Sequence, residues 1–160
     1  MAGEDELYLL RAENELVMAQ ILFKISQDFF LQNKTFRLEE DFTFYNGVIA
    51  HSYYSIFYSA KAILINHGIK TKAPEAHKKT LQAFENSLVK SGLLDVELLK
   101  IYRKMITKAE DLLGIFILEK RKRGKFTYKR LPHANKDPAY ESLKNASFFF
   151  KHINKIVRKT

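Results

Sequence analysis

The sequence predicts an all-α protein: an up-and-down antiparallel bundle of about five helices, forming one domain over residues 1–160. Three observations carry this expectation. Apolar residues recur at spacings of three and four in five separate stretches. No stretch shows the period-two alternation of a half-buried strand. The connections between the periodic stretches are short enough to join antiparallel neighbours. With 46% of its 160 residues hydrophobic, the chain can bury a core of useful size.

The first helix is expected from Asp5 to about Leu31. Leu7, Leu10, Val17, Ile21, Ile25 and Asp28 or Phe29 follow the three-four rhythm as its core face, and Glu4, Asp5 and Glu6 suit its N-terminal dipole. Asn14 interrupts that stripe; a polar residue there either fixes register in a buried seam or faces water. Residues 32–44 read as a connection pinned by Phe36, Leu38, Phe42 and Phe44.

The stretch Tyr45–Gly68 is the expected centre of the bundle. Its core face comprises Tyr45, Val48, Ile49, Tyr53, Ile56, Phe57, Ala60, Ile63 and Leu64, and small Ser52, Ser55, Ser59 and Ala62 let neighbouring helices approach closely. Gly68 is placed to end the helix in a left-handed conformation. A basic loop leads to a third helix that starts near Pro74 and runs to about Lys90, with Leu81, Phe84 and Leu88 inward. Ser91-Gly92 breaks it. A fourth helix is expected from about Asp95 to Lys120, with Leu98, Ile101, Met105, Leu112, Ile115 and Phe116 as core positions. An irregular segment opens at Gly124, and Pro138 starts a fifth helix, where Ala139, Leu143, Ala146, Phe149 or Phe150, Ile153 and Val157 form the last stripe.

Composition narrows the function classes. Absence of Cys excludes disulfides, thiolate metal sites and cysteine nucleophiles, and five His without paired ligand spacing make zinc a poor fit. No metal or cofactor is expected. The acidic beginning MAGEDELYLL is unlike a secretory signal and no apolar run reaches membrane-span length, so a cytoplasmic protein is expected. Charge divides the chain. Residues 1–118 carry 14 Lys and Arg against 15 Asp and Glu; residues 119–160 carry 13 against 3. Such an asymmetry points to an acidic partner, most often a nucleic acid, though a solvated basic face has the same composition.

The runs AHSYYSIFYSAKAILINHGI and KTKAPEAHKKTLQAF, and the later GKFTYKRLPHANKDPAYESLKNASFFFKHI, occur in this order and cover roughly half the chain. Together they resemble the HEPN superfamily (higher eukaryotes and prokaryotes nucleotide-binding domains). The resemblance implies a four- or five-helix bundle, frequent homodimers, and roles in RNA cleavage, nucleotide binding or toxin–antitoxin pairs with a minimal nucleotidyltransferase. It also implies, for active members, an Arg followed four to six residues later by a His. In that chemistry Arg neutralises an RNA phosphate while His manages the proton of the attacking 2′-hydroxyl. This chain departs from that pattern: His51 and Tyr58 stand at the two positions. Elsewhere Arg130 and His133 are only three apart, and Lys61 precedes His67 without a guanidinium.

Three groups of residues are candidate sites. His51, Tyr54 and Tyr58 share one helical face, with Lys61 a turn further on, and could stack or hydrogen-bond a base. The same rings could equally pack in a dimer or helix interface. Lys72 and His77 flank the start of the third helix, where they could hold a phosphate, or His77 could simply pack against the turn. The segment Lys120–Arg130 holds seven basic residues in eleven, including Arg121, Arg123 and Lys125, with Phe126 and Tyr128 between them. That combination suits a phosphate chain with unpaired bases, and also a solvated helix end followed by an aromatic anchor. The leading expectation is an RNA- or nucleotide-binding homodimer that lacks the family's ribonuclease machinery. A metal-independent ribonuclease with a rearranged site, using His51 or His77, and a protein-interaction module are the alternatives.

Overall fold

The computed structural model describes residues 2–39, 42–114, 117–118 and 135–159. Five α-helices build it: α1 (Glu4–Gln27), α2 (Tyr45–Asn66), α3 (Ala76–Ala83), α4 (Val96–Leu113) and α5 (Lys136–Val157). Two π-helical turns, Leu31–Thr35 and Phe84–Val89, extend the chain after α1 and α3. Among the described residues there is no strand, as the periodicity predicts.

Cross-helix contacts fix the directions. Asn66 pairs with Asp5, Tyr58 with Tyr8, Ser55 with Ala12, His51 with Glu15 and Phe44 with Ser26, so α2 runs antiparallel to α1. Asn135 at the start of α5 reaches Asn46 at the start of α2, and Lys108 and Tyr102 of α4 meet Glu141 and Phe149 of α5 in reversed order. The result is the expected up-and-down arrangement with α2 in the middle. Every expected core residue of α2 is buried. Beside it Phe84, Tyr102 and Phe149 interlock with ring centroids 5.5–5.9 Å apart, joining the π-helical turn after α3 to α4 and α5.

The helix ends differ from expectation where a single residue changes the backbone path. Helix α1 stops at Gln27 because Asp28 is extended, and its carboxylate accepts the Leu31 N–H at 3.0 Å. Helix α4 begins as expected at the Asp95 cap, which accepts from Glu97 N–H at 2.8 Å, but ends at Leu113, because Gly114 takes a left-handed conformation at φ 67°. Helix α5 starts two residues before Pro138, whose missing N–H costs nothing in a first turn. Positions 115 and 116, expected in the core, lie outside the described residues, as does 119–134.

The largest correction concerns α1. Leu7, Leu10, Val17 and Ile21, expected inward, are exposed; the core face is Leu9, Ala12, Leu16, Ala19 and Ser26. The rhythm selects the bulkier of two apolar faces, but α1 must lie close to α2, whose facing residues are small. Ser55 Oγ donates to the carbonyl of Ala12 at 2.8 Å, and both residues are buried. Near the other end, a Cβ built on Gly47 would stand 3.0 Å from Leu22 Cδ1. Only short side chains fit such a contact.

Ala12→Leu should therefore destabilise by about 1–3 kcal/mol through overpacking, and Phe149→Ala by about 3–5 kcal/mol through the cavity it leaves. Urea unfolding followed by circular dichroism checks both.

Candidate functional site

The close approach of α1 to α2 lines up the polar flanks of the two helices. On α2, residues 51, 54, 58 and 61 succeed one another along a half-buried strip; on α1, residues 8, 11 and 15 face it. The rings of Tyr8 and Tyr58 stack across the join at 6.0 Å, and Tyr54 follows Tyr58 at 6.3 Å. Two cations sit over this stack. Arg11 Cζ is 5.6 Å from the ring centroids of both Tyr8 and Tyr58, and Lys61 Nζ is 4.8 Å from that of Tyr8. Lys61 also donates to the Thr71 carbonyl at 3.1 Å, which orients its ammonium.

His77 closes one side of this furrow. Its ring stacks on Phe57 at 4.0 Å and shares a 2.7 Å hydrogen bond between Nδ1 and the Tyr53 hydroxyl. Burial, with Lys61 adding to it, lowers its pKa below the ordinary histidine value, so the ring is neutral at pH 7. The ring thus packs against α2. Lys72 is exposed on the loop before α3, and its carbonyl accepts from Lys79 Nζ at 3.3 Å. Burial raises the pKa of Tyr58, with Arg11 opposing and Glu15 reinforcing the shift, so this hydroxyl remains a neutral donor.

His51 is held differently. Its Nδ1 faces Glu15 Oε2 across the α1–α2 join, and a carboxylate there accepts the Nδ1–H. The pair is a carboxylate-oriented imidazole, an arrangement able to accept a proton. Nothing in the sequence of α2 alone indicates Glu15, Arg11 or Tyr8; their spacing of three and four on α1 was the available signal, hidden beside a more conspicuous apolar stripe. Sequence reasoning thus groups His51, Tyr54, Tyr58 and Lys61, sets His77 apart with Lys72, and misses the α1 wall; the structure brings His77 to the strip. Arg121, Arg123, Lys125 and Tyr128 lie outside the described residues. Among the described residues no group of three or more His, Asp and Glu side chains could hold a metal ion, and no helix is long and apolar enough to cross a membrane.

An up-and-down bundle whose central helix presents an aromatic strip beneath two cations defines a small helical domain with an aromatic furrow between α1 and α2. Its family follows from comparison: the HEPN domain model matches residues 6–156, and the chain belongs to the HEPN domain family. Two proteins of Methanocaldococcus jannaschii, each bearing the name "putative toxin", are similar to it. One is 31% identical over 101 residues, covering 63% of this chain and 58% of the relative; the other is 38% identical over 55 residues, covering 34% and 35%. The chain thus spans little more than half, and about a third, of the two relatives' lengths.

The lowered pKa of His77 makes stability depend on pH. Unfolded, the ring titrates near 6.5; folded, it binds its proton only at lower pH. The unfolded chain therefore holds more protons in the window just below 6.5, so this contribution is complete above that value and is lost as pH falls. Denaturant midpoints should drop on acidification from pH 7.5 to 5.5, and the drop should be smaller in His77→Gln.

Proposed function

We propose that this HEPN domain binds single-stranded RNA or a nucleotide at the α1–α2 furrow, as the non-cleaving or catalytically altered member of a toxin–antitoxin pair. The observation that carries the reading is the placement of Arg11 and Lys61 over the Tyr8–Tyr58 stack. Phosphate oxygens meet the two cations, and a base lies against the half-exposed Tyr54 and Tyr58 rings. The basic residues of 120–130 add charge that the rest of the chain does not supply. The toxin names of the two relatives support the paired-system context; a minimal nucleotidyltransferase as the partner and the cytoplasm as the compartment are part of the proposal.

Binding to single-stranded RNA in graded salt tests this. Arg11→Gln with Lys61→Gln should flatten the salt dependence by about 1.4 in slope, and Arg121→Gln with Arg123→Gln and Lys125→Gln by about 2. Tyr58→Ala should cost about 1–3 kcal/mol with little change of slope. No binding at low salt, or slopes indifferent to all five substitutions, would leave an interaction module without nucleic acid.

One observation favours a second reading. The Glu15–His51 pair presents an oriented imidazole on the same α1–α2 join that carries Arg11, so an imidazole and a guanidinium are both present, in an order unlike the family's. Against it, Glu15 places a negative charge beside His51, where the family's Arg stabilises phosphate. Purified chain is expected to leave RNA intact. Chelator-resistant cleavage that disappears in both His51→Ala and Glu15→Gln would reverse that expectation.

A further inference from the structure

Cations on the outside of α4 are matched by carboxylates: Lys100 meets Glu97, Arg103 meets Glu85, and Lys104 and Lys108 share Glu141 of α5. The outer face of α5 is different. From Lys144 to Lys159 the chain carries five basic residues and no Asp or Glu. The two acidic residues of α5, Asp137 and Glu141, fall in its first two turns, and Glu141 is already engaged. Lys144, Phe148, Lys151 and Lys155 lie within an arc of about 60° at 3.6 residues per turn. That arc is opposite the buried line of Ser142, Ala146, Phe149 and Ile153. All four side chains are exposed, Phe148 by 47%, and among the described residues no ion pair engages the three lysines. Phe148 is held in place by His152, whose ring lies 4.2 Å away and whose Nδ1–H donates to the Phe148 carbonyl at 3.1 Å.

We propose that this face of α5 is a site for single-stranded nucleic acid, separate from the furrow. Lys151 and Lys155 stand one turn apart, about 6 Å along the axis, where like charges destabilise a helix unless an anion lies between them. Lys144 is about 10.5 Å before Lys151, and Phe148 occupies that longer gap. Phosphates of a strand running along the helix meet the three ammonium groups, and an unpaired base stacks on the exposed Phe148 ring. A duplex covers the faces of its bases and so cannot use the ring; an acidic peptide answers the lysines but leaves the ring without a flat partner. The cations are all Lys, point charges without the fork that fixes a base edge, so the site tolerates any sequence. The furrow's cations stand on α1 and α2, whereas this face is turned away from the core that α5 shares with α2. The site therefore does not depend on what the furrow binds.

The chain contains no Trp, so Phe148→Trp places a single fluorescent ring on this face. At low salt a short uridine oligonucleotide should quench it by stacking, with an affinity that falls with salt at a slope of about −2. Lys144→Gln with Lys151→Gln and Lys155→Gln should remove most of that slope and weaken binding about tenfold or more, with unchanged helical circular dichroism because all three face water. Arg11→Gln with Lys61→Gln should leave the titration as it is, which separates failure of the furrow from failure of this face. On the unaltered chain, ultraviolet crosslinking to the same oligonucleotide should attach within residues 145–151. Absence of the quenching, a crosslink confined to other segments, or quenching that survives the three Gln substitutions would each overturn the proposal. Quenching by polyglutamate as strong as by the oligonucleotide would assign the face to an acidic protein instead, and a blue shift with phosphatidylglycerol vesicles alone would assign it to a membrane. Loss of the signal in the Arg11 and Lys61 variant would make the face an extension of the furrow and overturn it as a site of its own.

Discussion

The short-side-chain contact between α1 and α2 is the constraint from which the other features follow. Ser55 reaching the Ala12 carbonyl, with Ala19, Ser52 and Ser59 buried near it, lets two backbones lie closer than Leu-on-Leu packing allows. A hydroxyl that bonds the neighbouring helix's carbonyl also satisfies its own polarity in a place water cannot reach. With the axes this near, side chains on the flanks of the join meet directly. Tyr8 and Tyr58 stack, Glu15 reaches His51, and Asp5 accepts from Asn66 at 3.0 Å. Bulk excluded from the contact has gone to the opposite side of α1, where Leu7, Leu10, Val17, Met18 and Ile21 are exposed.

The furrow is held in place before any ligand arrives. Lys61 is tied to the Thr71 carbonyl, Thr71 shares a 2.6 Å hydrogen bond with Thr80 of α3, and Thr80 bonds the Ala76 carbonyl. This chain of bonds couples the cation over the Tyr8 ring to the start of α3 and so to His77. Keeping His77 neutral matters electrostatically, because a buried imidazolium near Lys61 would be repelled by it. A furrow whose cations are already oriented loses less conformational entropy on binding an anion than one built from free lysines.

Membership of the HEPN family does not transfer its ribonuclease chemistry to this chain. That chemistry uses a guanidinium and an imidazole on one helix, a turn or more apart. Here the first position is an imidazole, the second a phenol, and the imidazole is matched by a carboxylate from another helix. The guanidinium near the site, Arg11, comes from α1 and lies over aromatic rings. Positive charge, an imidazole and stacking surfaces are all present, in an arrangement unlike that pattern.

The residues alone determined the helical class, the central position of α2 and its entire core face, because that helix is buried on most sides and its apolar periodicity has one solution. They also determined the polar strip from His51 to Lys61, since a single helix fixes which of its residues share a face. They could not determine which of two apolar faces on α1 turns inward. That choice depends on the size of the residues opposite, a property of the pair of helices. The α1 wall of the furrow was invisible for the same reason: Tyr8, Arg11 and Glu15 gain their meaning only from the distance at which α2 lies. The end of α4 at Gly114 was decided locally, by one left-handed residue that a periodic reading runs through. Periodicity is a property of one helix, whereas closeness is a property of two, and the tertiary structure supplied the second.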